Sequence, residues 1–216
     1  DLTVTITTVL LVLVLLLLIY RSPVLAITPL IIIALTLFAA RSIAALLSQN
    51  FDLPLNDQVA AIMSVLLFGA GTDFSLFVIS RYKEELQRRK NVNKWEAMKI
   101  TMENVGPAIA TSAGTTIVAM LVLLFATNGS FVSVGPMLAM AVFVMLLVGL
   151  TIVPGVVVLL GRIAFWPLNP FKNTQKDSKF WKKIADLVTK KGIIVLVTSL
   201  VFLLVSTSAT LLLKPN

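Results

Sequence analysis

The sequence contains no cysteine and no histidine. Disulfide frameworks, thiolate or imidazole metal centres, and nucleophilic pairs of the Ser-His or Cys-His type are therefore excluded. Proton chemistry is left to carboxylates, lysine and tyrosine, and tyrosine occurs only twice. Charge is also scarce. Asp, Glu, Lys and Arg make up 13% of the 216 residues, about half the share of an ordinary soluble domain. What is abundant is apolar: 58% of residues are hydrophobic and the mean hydropathy is +0.98. That is the composition of a membrane protein, with no constellation that calls for an enzyme, a cofactor or a metal. The apolar run starts at once after Asp1, without Met or the basic flank of a signal peptide. The expectation is an internal segment of a longer chain.

Apolar runs of about 20 residues suffice to cross a hydrocarbon core of roughly 30 Å. Segmentation on that basis predicts six transmembrane helices, over 2–20, 25–47, 59–80, 105–127, 131–160 and 192–213. The whole chain, 1–216, reads as one all-α polytopic domain. The connections alternate in charge. Arg21, the stretch 81–103 and the stretch 161–191 hold 16 of the 18 Lys and Arg residues, whereas 48–58 has two acids and no base. Basic loops stay in the cytoplasm, so the net charge of +8 reports orientation rather than nucleic-acid binding. Both ends of the segment are then expected outside a multi-pass cell membrane.

Two basic stretches have an apolar face as well. In 81–104, Trp95, Met98, Met102 and Val105 follow helical spacing. In 161–191, Asp177 or Ser178 caps a helix with Phe180, Trp181, Ile184, Leu187 and Val188 on one face and lysines on the other. Both predict amphipathic elbows lying on the cytoplasmic membrane face. The prolines of Gly135-Pro136 and Val153-Pro154-Gly155 predict a kink in the fifth span close to the inner face. Arg41, near the outer end of the second span, either snorkels outward or pairs with Asp52.

The stretch GAGTDFSLF, Gly69 to Phe77, carries Asp73, the only acid inside any of the six runs. A carboxylate at that depth costs about 2.5–3.5 kcal/mol on insertion scales and is functional by default. Helical spacing puts Leu66, Gly69, Ala70, Phe77 and Ser80 on its face. Gly69, Ala70 and Gly71 are small enough to let a neighbouring helix approach closely. Asp73 lies eight residues from Arg81, and Ser112 lies seven from Val105 on the antiparallel helix. Both distances are roughly 10–12 Å of helix rise, which puts the two groups at one level. Ser112 belongs to a small and hydroxylated stripe with Ala108, Thr115 and Ala119. Two readings of that stripe stay open: close packing with hydroxyls bonded to their own backbone, or a hydrated polar contact with Asp73. Asp73 itself reads as a protonatable group, a static buried acid, or one ligand of a sodium site.

Three stretches, GAGTDFSLFVISRYKEEL (Gly69 to Leu86), VGPAIATSAGTT (Val105 to Thr116) and GLTIVPGVVVLLGRIAFWP (Gly149 to Pro167), resemble in order and spacing the MMPL family of the resistance-nodulation-cell division (RND) superfamily. The resemblance implies proton-driven export of lipids or other hydrophobic compounds by a twelve-helix protein with two large outer domains. The present segment would correspond to the second through seventh helices. In that family an Asp-Tyr pair on the fourth helix works as a proton relay with an equivalent pair on the tenth. Asp73 matches the aspartate, Phe74 stands where tyrosine is usual, and Ser112 and Thr115 are candidate neighbours of the relay. The implied partners are the lipid bilayer, a hydrophobic or lipidic substrate, protons, the remaining half of the same polypeptide, and a homo-oligomer. Two alternatives are a non-transporting, lipid-binding or sterol-sensing-like scaffold and a cation-coupled transporter.

The orientation is testable by single-cysteine labelling of the full-length protein. A cysteine at Lys99 is expected to react with an impermeant maleimide only from the cytoplasmic side, and one at Asn128 only from the outside.

Overall fold

The computed structural model describes residues 2–20, 22–51, 57–88, 93–126, 129–161, 163–167 and 179–211. Among them the secondary structure is helical throughout: α1 (Leu2–Tyr20), α2 (Pro23–Phe51), α3 (Asp57–Arg88), α4 (Lys94–Val122), α5 (Gly129–Leu150), α6 (Ile152–Leu160), α7 (Lys179–Lys190) and α8 (Gly192–Leu211), with short 3₁₀ turns at Leu123–Phe125 and Ile163–Phe165. The physical reason is the solvent. Lipid offers no partner for a free N–H or C=O, so each spanning segment must satisfy its backbone internally. Among the described residues, four stretches are long and apolar enough to cross a membrane: Pro23–Asn50, Asp57–Arg88, Lys94–Phe125 and Val134–Leu160. The other two expected spans are α1, with a shorter apolar stretch at Leu10–Tyr20, and α8, which is bent by 94° from α7. The chain forms two compact units, Asp1–Lys172 and Asn173–Asn216.

In the first unit α3 packs on α2, α4, α5 and α6. Its Met63, Leu67, Val78 and Ile79 are fully buried. Glycine sets two of these contacts. A Cβ on Gly71 would stand 2.6 Å from Ile33 Cγ1 and 2.9 Å from Met145 Cε, so α2 and α5 converge on α3 there. A Cβ on Gly135 would fall on the Met120 carbonyl oxygen and 2.9 Å from Leu123 Cβ. The start of α5 thus rides on the backbone of α4, the close approach that small residues permit.

The residues expected to form the first elbow, 81–104, are divided between two long helices. α3 runs on past Ser80 to Arg88, and α4 runs without a break from Lys94 to Val122. Two causes are visible. Arg81 bonds both Glu84 (2.7 Å) and Glu85 (2.8 Å), one turn further along, the spacing at which charge pairs support a helix. Ala97, Met98, Thr101, Val105, Ile109 and Ala113 then form one continuous buried stripe. Met98 and Val105 therefore face protein, while Trp95 is exposed. Asn93 caps the start of α4 by accepting a hydrogen bond from the Trp95 N–H at 3.4 Å.

The expected kink in the fifth span is present one turn before its proline. Helix α5 ends at Leu150, Thr151 adopts φ −120° and ψ −63°, and α6 begins at Ile152. Pro154 has no N–H to offer the Leu150 carbonyl, and its ring presses on that carbonyl. At the start of α2, Ser22 ties remote parts of the chain together. It is buried, accepts weakly from the Leu25 N–H at 3.5 Å, and its Oγ lies 2.7 Å from the carbonyls of both Ala164 and Trp166. Tyr82 stacks on Phe165 beside it, with ring centroids 6.4 Å apart. In the second unit α7 and α8 meet at the 94° bend. The cap expected at Asp177 or Ser178 lies outside the described residues.

The glycine contacts give a stability test. Gly135→Ala has no relaxation open to it except separation of two backbones, and is expected to cost about 1–3 kcal/mol, read as a lower unfolding temperature of the detergent-solubilised full-length protein. Gly69→Ala, with no atom within 4 Å of the new Cβ, is expected to change stability by no more than about 0.5 kcal/mol.

Candidate functional site: a carboxylate groove between α3 and α4

Beside the α3–α4 contact is a cavity of about 700 Å³. One wall is α3, through Val65, Leu66, Gly69, Ala70, Asp73, Phe74, Leu76 and Phe77. The other is α4, through Ala108, Ile109, Ser112, Ala113 and Thr116, with Val142 of α5 between them. The lining is apolar except at three places, Asp73, Ser112 and Thr116. Asp73 and Ser112, which the helix rise puts at one level in the sequence, both line this one groove.

Asp73 is exposed to the groove. Among the described residues it makes no hydrogen bond and no ion pair. The surrounding hydroxyls explain why it finds no donor. Thr72 Oγ1 donates to the Phe68 and Gly69 carbonyls, and Thr111 Oγ1 to those of Pro107 and Ala108. Thr115 and Thr116 both donate to the Ser112 carbonyl, at 2.8 and 3.0 Å. Each threonine thus spends its proton inside its own helix, the usual fate of a hydroxyl in an apolar setting. Ser112 is the exception. Its hydroxyl makes no hydrogen bond among the described residues, and it stands in the same groove as the carboxylate.

Phe74 turns away from the polar part of the site. It is buried, and its Cδ2 lies 3.1 Å from where a Cβ on Gly149 would stand, so its ring seats against the glycine of α5 while still contributing to the groove lining. Gly71 does the close packing expected of it, on the far side from the groove, and Ala70 is half-buried on the groove wall. Gly69 departs from that expectation. It has no neighbour within 4 Å of a Cβ position, and it leaves open space one turn above Asp73 rather than a helix contact. Thr115 does not line the groove, whereas Thr116 does. The signal for Thr116 was its position four residues after Ser112, the same spacing that puts Phe77 beneath Asp73.

Arg41 plays no part in this site. It donates to Ser64 Oγ at 2.9 Å. Ser64 precedes Asp73 by nine residues, which is half a turn out of phase on α3. Asp52, its expected partner, lies outside the described residues. Among the described residues no group of three or more acidic side chains is placed to hold a metal ion.

Comparison with known proteins agrees with the motifs. The MMPL family model matches residues 1–195. A putative membrane protein of Streptomyces coelicolor, ActII-3, is 39% identical over 218 residues, covering 100% of this chain and 30% of the relative. An apo-petrobactin exporter of Bacillus anthracis is 36% identical over 194 residues, covering 89% of this chain and 26% of the relative. The probable transport protein MmpL12 of Mycobacterium tuberculosis is 32% identical over 199 residues, covering 92% of this chain and 17% of the relative. The chain therefore spans less than a third of the length of these relatives. With matched motifs in order along it and a family match over most of its residues, the chain belongs to the MMPL family.

Proposed function

We propose that this chain is the first-half membrane domain of an exporter of lipidic or hydrophobic compounds driven by the proton gradient, and that Asp73 takes up and releases the coupling proton. The observation that carries the reading is the state of Asp73: the only charged residue in the stretch 59–80, open to a groove, and without a hydrogen-bonding or ionic partner among the described residues. A carboxylate held by structural bonds has no acceptor capacity to spare for a mobile partner, and this one has. The names of the relatives, an apo-petrobactin exporter and a transport protein, support export as the activity.

The chemistry follows from the groove. While open, it admits water to Asp73. Closure by a further helix of the same polypeptide would take that water away, and a carboxyl group out of water is cheaper to keep neutral than charged. The proton bound on one side is then released when the groove reopens toward the other. One charge carried across the membrane potential is worth about 2.3 kcal/mol per 100 mV, enough to bias a rearrangement between two packings of α3 and α4. Phe74 has no hydroxyl, so Ser112, whose own hydroxyl is unspent, is the group in this half that donates to the ionised Asp73, directly or through water.

The test uses the full-length protein in proteoliposomes with an imposed pH gradient. Asp73→Asn is expected to abolish gradient-driven export while leaving the unfolding temperature within about 2–4 °C of wild type. Ser112→Ala is expected to slow export about fivefold, the worth of one hydrogen bond of about 1 kcal/mol. Export that survives Asp73→Asn unchanged would sink the relay. Export that follows the sodium gradient and ignores pH would transfer Asp73 to a cation-coupled mechanism.

A further inference from the structure

The second unit carries a feature that the groove and the proton leave unused. Helix α7, Lys179–Lys190, meets α8 at a bend of 94°. Helix α8 has 20 residues, a length of about 30 Å, which is the thickness of the hydrocarbon core. A helix perpendicular to a spanning helix lies in the plane of the membrane surface.

The side chains of α7 sort accordingly. Ile184, Leu187 and Val188, at the i, i+3, i+4 spacing of one face, are 37%, 52% and 49% exposed. Lys182, Lys183 and Lys190 occupy the other side and are exposed, and Lys191 is exposed at the bend itself. Among the described residues these four lysines form no ion pair, and Asp186 is the one acid in the helix. An apolar stripe left exposed within its unit among the described residues, backed by positive charge that forms no ion pair there and set at a right angle to an apolar helix, matches one surface: apolar below and negative at the headgroups.

We infer that α7 is a binding element for anionic phospholipid headgroups, with Ile184, Leu187 and Val188 in the acyl boundary and Lys182, Lys183, Lys190 and Lys191 contacting lipid phosphates. The bend at Lys191 places the lysines at the depth where α8 enters the hydrocarbon. Anionic lipid therefore fixes the level of α8 in the bilayer, and neutral lipid does so only through the apolar stripe. The inference is independent of proton coupling, so loss or retention of export by Asp73→Asn leaves it standing.

The experiment takes the full-length protein in nanodiscs of phosphatidylcholine, with or without phosphatidylglycerol. The native protein is expected to hold spin-labelled phosphatidylglycerol in preference to spin-labelled phosphatidylcholine, and added salt is expected to weaken that preference. Changing Lys182, Lys183, Lys190 and Lys191 together to Gln is expected to reduce the preference, by about fivefold for each lysine in contact. An unchanged preference in this variant overturns the inference. A second readout does not depend on the charge changes. A fluorophore on Leu187→Cys is expected to be shielded from an aqueous quencher in the phosphatidylglycerol nanodiscs. A label that stays in water on those nanodiscs, and is shielded only when an acidic helix-binding protein such as calcium-loaded calmodulin is added, overturns the lipid assignment in favour of a protein partner.

Discussion

The constraint on which everything else rests is that lipid satisfies no hydrogen bond. It turns every long apolar run into helix, because only a helix closes its own backbone. It also governs the side chains. Thr72, Thr111, Thr115 and Thr116 lie on or near the groove, and each bonds to a carbonyl of its own helix. Once the hydroxyls have been used in this way, Asp73 and Ser112 are, among the described residues, the polar side chains lining the groove with bonds still to make. The site is defined as much by what its neighbours have already bonded as by the carboxylate.

The same constraint explains the use of glycine and proline. With no hydrophobic force between helices in lipid, association depends on close packing, and Gly71 and Gly135 supply it by bringing α2, α4 and α5 against one another and against α3. Gly149 does the equivalent for Phe74, giving the ring a flat seat on α5. Pro154 works in the opposite sense. It frees the Leu150 carbonyl and breaks the fifth span at Thr151, about two helical turns before the 3₁₀ turn that Ser22 binds after α6. The first unit is thus tightly joined where α2 and α5 meet α3 and where Ser22 meets the 3₁₀ turn, and open at the groove.

The sequence by itself determined the class and the succession of apolar helices, four of which are long and apolar enough to cross a membrane among the described residues, and it put one carboxylate in an uncharged stretch. Those follow from local quantities: apolar run length, the placement of lysine and arginine, and a single acid in a long uncharged stretch. Even the level of Ser112 against Asp73 could be counted, since helix rise is fixed per residue. The motifs around Gly69, Val105 and Gly149 gave the family for the same reason, being short and ordered along the chain.

Only the tertiary structure decided which way each face turns. Nothing local distinguishes Gly69, open to the groove, from Gly71, pressed against Ile33 and Met145. They are two residues apart, and their roles depend on where α2 and α5 happen to lie. Thr115 and Thr116 are adjacent and bond to the same carbonyl, yet only Thr116 faces the groove. The amphipathic pattern around Met98 and Val105 suits a membrane surface and a protein core equally well, and packing against the rest of the bundle chose the core. A sequence specifies the period of a helix, but the direction of a face is settled only by the neighbour that covers it.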